Sequence, residues 1–170
     1  MKRRAVLGGA LAAGLGPFAA VAQEDVNVED AAEVGADVPN RATRKARIEI
    51  ARRWEEEAIG QGSLGIIQEI ASPDYTSPAE GNAPGIDALY DRFAAAADFR
   101  ASRYTSFQIS AAAFAVSGDS VSVRTVVTAE ANGRLAETTG LGWLTFGADN
   151  LVIAAWGSDI DGALATQLFG

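Results

Sequence analysis

The chain contains no cysteine and no histidine. Without cysteine there is no disulfide, and the fold must be held by its core alone whatever the redox state of its compartment. Without either residue, no Ser-His-Asp or Cys-His nucleophile can be assembled. Nor can a zinc, copper or haem site be built on imidazole or thiolate. Acid–base chemistry falls to Asp, Glu, Tyr, Lys or Arg. Positive charge is scarce as well: 14 Lys and Arg stand against 22 Asp and Glu, for a net charge of −8. Such a body argues against nucleic acid and anionic membrane surfaces as partners. Nothing calls for a metal or another cofactor. No Walker-type or dinucleotide loop precedes a helix. The stretch Asp159-Ile160-Asp161-Gly162 lacks the spaced oxygens and closing Glu of an EF-hand loop.

What is present starts with the features of an export signal over residues 1–22. Lys2, Arg3 and Arg4 precede an apolar stretch rich in Gly and Ala, from Val6 to Ala20, and Ala20-Val21-Ala22 fits the small-x-small cleavage pattern. The apolar stretch is too short and too rich in glycine for a stable membrane span. Arg3-Arg4-Ala5-Val6-Leu7 also resembles a twin-arginine signal, although Lys2 stands where a polar residue is usual; an ordinary secretory signal is the other reading. Either way a periplasmic or secreted protein is expected. Residues 23–40 hold six acids, no base and no aromatic, and read as a disordered acidic leader. The remaining domain is residues 41–170.

Within it, Ala46, Ile50, Trp54 and Ala58 recur every four residues and predict a helix over 42–58. The neighbouring charges, from Arg44 through Glu55-Glu56-Glu57, read as its solvated face. Gly60-Gln61-Gly62-Ser63 ends it, and Ser63 can cap a second helix over 64–71 with Leu64, Ile67 and Ile70 inside. Pro73 stops that helix. Asp74 to Pro78 is a short extended piece, and a loop over 81–85 leads to a third helix with Ile86, Leu89, Tyr90, Phe93 and Ala97 on one face. After Arg100 the pattern is that of strands. The first, from Tyr104 to Val116, changes phase and needs a bulge near Ala111-Ala112-Ala113. The second runs over 121–131, and Asn132-Gly133 predicts a tight hairpin into the third, over 135–146. The apolar run from Leu151 to Trp156 reads as a buried fourth strand, broken at Gly157 into an acidic turn and a short amphipathic end. Gly140 and Gly142 inside a strand suggest bending or the close approach of another group. Helices followed by a four-stranded meander define an α+β domain.

This order of elements, with Asp74-Tyr75, Pro84-Gly85, Gly118-Asp119-Ser120-Val121, Trp156 and the closing Gln167-Leu168-Phe169-Gly170, resembles the SnoaL-like branch of the nuclear transport factor 2-like superfamily. The resemblance runs from about Ala42 to Gly170. It implies a cone: a strongly bent antiparallel sheet, a four-strand meander plus a short strand, wrapped around three N-terminal helices with a pocket at the open end. It also implies a homodimer. The superfamily includes polyketide cyclases, ketosteroid isomerase, limonene epoxide hydrolase and members that only bind.

The family's chemistry does not transfer position by position. Where ketosteroid isomerase places a general-base Asp before a Pro, this chain has Ser77 before Pro78, and a serine cannot take a carbon acid's proton unaided. Where limonene epoxide hydrolase uses an Arg and two carboxylates, Arg124 matches, but Val126 and Ser158 replace the acids. The cyclases' His and Asp positions hold Pro78 and Ile160. Asp159 and Asp161 flank the last of these and are the remaining candidate bases, with Tyr75 as a hydrogen-bond donor. Against that stands a plain turn capping the final helix through Asp161. Trp156, Tyr75, Ser77, Arg124, Ser158, Tyr90 and Trp54 are the candidate ligand contacts. The aromatic members read equally as core residues. For Arg124, the family analogy points inward. Strand alternation points it outward, paired across the hairpin with an acid such as Glu137.

Three functions follow: an exported domain binding a small, largely apolar molecule; a cyclase- or isomerase-type enzyme with an Asp base; or a dimerisation or interaction module with a plugged cavity.

Overall fold

The computed structural model describes residues 32–33, 39–77 and 83–170. The export signal and most of the acidic leader lie outside the described residues, as does Pro78. Helix α1 (Arg41–Arg53) runs without a break into a π-helical segment, Trp54–Gly60. Helix α2 (Leu64–Ile70) and strand β2 (Ala71–Ser77) follow. Helix α3 spans Ile86–Arg103, and the chain closes with helix α4, Ile160–Phe169. Strands β4 (Ser106–Ser117), β5 (Ser120–Ala131), β6 (Arg134–Phe146) and β7 (Val152–Gly157) form the expected antiparallel meander. Two-residue strands β1 (Ala32–Glu33) and β3 (Ala83–Pro84) complete the sheet, in the order β1-β4-β5-β6-β7-β2-β3. The sheet is curled, does not close and wraps the helices, giving the α+β cone. Among the described residues no helix is long and apolar enough to cross a membrane.

The short strand differs from expectation in direction. β2 lies parallel to β7, with Ala71 opposite Val152, so the sheet is mixed at that edge. The bulge falls where the phase change required it, between Ala111 and Ala113 of β4. Asn132 and Gly133 both take positive φ, 54° and 71°, the conformation a two-residue hairpin with right-handed strand twist demands. Along β5 the alternation is clean. Val121, Val123, Thr125, Val127, Ala129 and Ala131 are buried, while Arg124 is exposed on the outer face. Its cross-strand neighbour is Leu141, not the Glu137 anticipated, because Glu137 stands opposite Thr128.

The first helix turns a different stripe inward. Ile48, Ala51, Trp54 and Ala58 are buried together with Arg47 and Glu55, whereas Ala46 is exposed. The four-residue stripe drifts around a helix of 3.6 residues per turn, and following the true period brings two charged residues inside. Arg47 is held by several partners. Its guanidinium donates to Asn150 Oδ1 (3.0 Å) and the Gly118 carbonyl (3.0 Å), pairs with Asp119 (3.0 Å) and lies over the Phe146 ring. It thereby fastens α1 to the β4–β5 and β6–β7 turns. At the opposite end α4 lies on β6, and Leu164 and Leu168 seal a second core with Tyr104, Ile109, Val127 and Ala136. Arg134 donates to the carbonyls of Gln167 (2.9 Å) and Leu168 (3.1 Å) and so satisfies the end of α4.

Two smaller corrections concern caps. Ser63 sits at the start of α2 but its side chain accepts no capping bond. Helix α4 is capped by Asp159, whose Oδ1 accepts from the Gly162 N–H at 2.8 Å, and not by Asp161.

Candidate ligand cavity

Between the π-helical segment, α3 and the concave side of β5–β7 lies a cavity of about 280 Å³, open to solvent on one side. Trp54, Ala58, Ile59, Phe93 and Ala96 form its apolar wall. The i→i+5 bonding of residues 54–60 widens the helix there and lets Trp54, Glu55, Ala58 and Ile59 share one face. Trp54 is fixed from behind by Tyr75, stacked at 6.1 Å between centroids, and packs edge-on to Phe93 at 5.3 Å. The half-buried state of Phe93 and Ala96 on α3 reflects their exposure to this hollow.

The sequence candidates divide into two groups. Trp54, Trp156, Ser158, Asp159 and Asp161 line the cavity; Tyr75, Ser77, Tyr90 and Arg124 do not. Tyr75 and Ser77 are fully buried behind the wall. Their oxygens accept hydrogen bonds from Arg92, at 3.3 and 3.0 Å, and Arg92 itself reaches the cavity. Tyr90 packs against the main core. Trp156, expected in a buried strand, is 55% exposed. It stands opposite Trp143 on the outer face of the sheet and meets the cavity at its rim. Ser158 Oγ accepts the Leu141 N–H at 2.9 Å and ties the rim to β6.

The two candidate bases are occupied. Asp159 holds the helix cap already described. Asp161 accepts from Arg100 Nε (3.1 Å) and Nη2 (2.8 Å) in a two-toothed ion pair, while Arg100 Nη1 donates to the Ile59 carbonyl at 2.9 Å. The Arg100 guanidinium lies 4.6 Å from the Phe107 ring centre. Such a pair fixes geometry and leaves little of Asp161 to accept a substrate proton.

The acid that sequence reasoning missed is Glu55. It is one of three consecutive glutamates whose run reads as a solvated helix face, and the three meet three fates. Glu57 pairs with Arg53 at 3.4 Å. Glu56 accepts the Ala111 N–H at 2.8 Å, beside the β4 bulge where the ladder is disrupted. Glu55 is 7% exposed, lines the cavity, and among the described residues has no hydrogen-bond partner. Burial pushes its carboxyl up to about 7, and the Arg100 guanidinium pulls the other way. Its Oε1 presses against Gly142 so closely that a Cβ there would overlap it, and Val123 Cγ1 would stand 2.9 Å away. Gly140 gives similar room to Thr125 and Ile160. The strand glycines are therefore close-approach positions. Two signals could have found Glu55: its place at i+4 from Ala51, and those paired glycines. Among the described residues no group of acids is placed to hold a metal ion.

No family model and no curated protein matches the chain. Solved structures do. A candidate polyketide cyclase from Bacillus cereus superposes with a TM-score of 0.63 at 17% identity, over 80% of this chain and 89% of that one. A candidate SnoaL-like polyketide cyclase from Jannaschia gives 0.57 at 18%, over 77% and 96%. TsrD from Streptomyces laurentii gives 0.57 at 18%, over 78% and 98%. The chain has the SnoaL-like, nuclear transport factor 2-like fold.

Proposed function

We propose that this is an exported SnoaL-like domain whose cone takes a small, largely apolar molecule. The observation that carries the reading is the open cavity of about 280 Å³ with an aromatic and aliphatic wall. That volume is at the small end for ligand sites and suits a molecule of one or two rings. A cyclase-type reaction through Asp159 or Asp161 has little support, since one caps a helix and the other holds Arg100. The test is binding of a naphthalene probe, followed by tryptophan fluorescence. Phe93→Arg, which fills the wall with a charged side chain, should abolish binding while leaving the circular dichroism unchanged; undiminished binding rejects the cavity as the site. Export is part of the proposal and rests on residues 1–22; recovery of the full-length chain from the cytoplasm alone would reject it.

A homodimer is supported by a separate observation. Leu141, Trp143 and Trp156 are exposed together on the outer sheet face. The same face carries Arg124 and Glu137, so a two-fold copy can set unlike charges opposite each other. Sedimentation should give a dimer, and Trp143→Lys a monomer. A wild-type monomer rejects the dimer and leaves the cavity reading untouched.

A further inference from the structure

Resting on the cavity reading, we propose that Glu55 is the polar anchor of the site, donating a hydrogen bond to the carbonyl oxygen of an otherwise apolar ligand, a small ketone or aldehyde. The argument is one of matching. A buried carboxyl with no partner is costly unless something answers it. On one side its Oε1 lies against Gly142, and on the other the apolar wall flanks it. The open side faces the cavity. Protonated, the carboxyl has one O–H to give, and a neutral acceptor on the ligand satisfies it without bringing a second charge into the hollow.

The surrounding charges agree. From α3 come Arg92 and Arg100, from the start of α4 Asp161, and from the rim Asp159. Asp161 is matched to Arg100, whose guanidinium also pulls on Glu55, and Arg92 to Tyr75 and Ser77. The facing strands contribute Gly140 and Thr125 to the cavity and Gly142 against Glu55 itself, none of them charged, and on Glu55's own segment Glu56 is turned to the bulge. A ligand anion would meet Glu55 unfavourably as soon as the carboxyl ionised. A ligand hydrocarbon would leave its O–H unanswered.

Two probes of nearly equal shape separate these cases: 2-acetonaphthone, which carries a carbonyl, and 2-isopropylnaphthalene, which does not. Calorimetric titration of the intact protein at pH 5.5 and 8.5 should show the ketone binding roughly tenfold more weakly at the higher pH, with the hydrocarbon little changed. Glu55→Gln keeps a donor that does not titrate, so its ketone affinity should not vary with pH. Glu55→Leu should bind the hydrocarbon and lose the preference for the ketone. Equal pH responses for both probes, or a pH-dependent ketone affinity surviving in Glu55→Gln, would overturn the anchor and leave the cavity standing. Failure of both probes to bind wild type would overturn the cavity reading and the anchor together.

Discussion

Arg47 and Glu55 lie two turns apart on one continuous helical rod, and both are buried. Arg47, at the end held by the β4–β5 and β6–β7 turns, has every kind of partner its guanidinium can use: an amide oxygen, a carbonyl, a carboxylate and a ring. Glu55, at the cavity, has no hydrogen-bond partner among the described residues, only the electrostatic pull of the Arg100 guanidinium. Burying a charge is costly in both places. At the first, the cost is offset inside the protein and the result is a fastener. At the second it is left open, and burial moves the carboxyl's titration up to about 7, so that the same rod is structural at one end and chemical at the other.

Breaking the fastened end should have the largest effect. Arg47→Ala removes several charge-assisted bonds, the packing of the side-chain stem and the contact with Phe146. It should cost about 4 kcal/mol of folding stability, read by urea denaturation. A loss below about 1 kcal/mol would mean that the turns are held without it.

The second prediction tests the open end, and its sign is opposite. The Glu55 carboxyl titrates at about 7 in the folded chain, against 4.5 for an ordinary glutamate. The folded state therefore binds that proton more tightly than the unfolded state. The stability it contributes is complete below about pH 4.5 and is lost as pH rises through 7. Glu55→Gln removes the charge and keeps the shape. Measured against wild type, it should gain about 3 kcal/mol between pH 4.5 and 8.5, an order-of-magnitude figure from the same linkage. A variant whose difference from wild type does not change with pH would place an ordinary carboxylate at Glu55 and dissolve the contrast with Arg47.

The third prediction sharpens the contrast through the strand opposite. Gly142→Ala places a methyl where Glu55 Oε1 now sits and within 2.9 Å of Val123 Cγ1. The carboxyl has to swing into the cavity, and overpacking of this kind costs about 2 kcal/mol. The same variant should weaken binding of the ketone probe more than that of Gly157→Ala, where an added methyl would meet little but the Leu141 carbonyl at 3.8 Å.

The sequence made the frame legible where one physical rule decides. Asn132-Gly133 announces its hairpin because few other dipeptides tolerate two positive φ values in succession. The phase change around Ala111-Ala113 announces a bulge because strand alternation has no other way to slip by one. The site was less legible. A four-residue count along 42–58 drifts off the true helical period, and that drift hides both Arg47 and Glu55 among residues that read as solvated. The π-helical segment has no known mark in these residues. Trp156 misled for a related reason: a continuous apolar run reads as buried on both faces, but register sets Trp156 beside Trp143 on the outside. Asp159 and Asp161 lie at the cavity. What sequence could not supply was their occupancy, which depends on Arg100 reaching across from α3 and on where the last helix starts.

That starting point gives the smallest of the expected effects. Asp159 Oδ1 accepts the Gly162 N–H and satisfies one of the free donors at the first turn of α4. Asp161 lies inside that turn and spends its carboxylate on Arg100. If the two aspartates were a catalytic pair, replacing either would change chemistry more than stability. If their roles are a cap and a clamp, Asp159→Ala should cost about 1 kcal/mol and Asp159→Asn much less, since an amide oxygen caps nearly as well. Ketone-probe affinity should be unchanged in both, because α4 is also held by Leu164, Leu168 and the bonds from Arg134. A large loss of affinity in Asp159→Asn with stability intact would return that carboxylate to the site and make Glu55 its companion rather than its replacement.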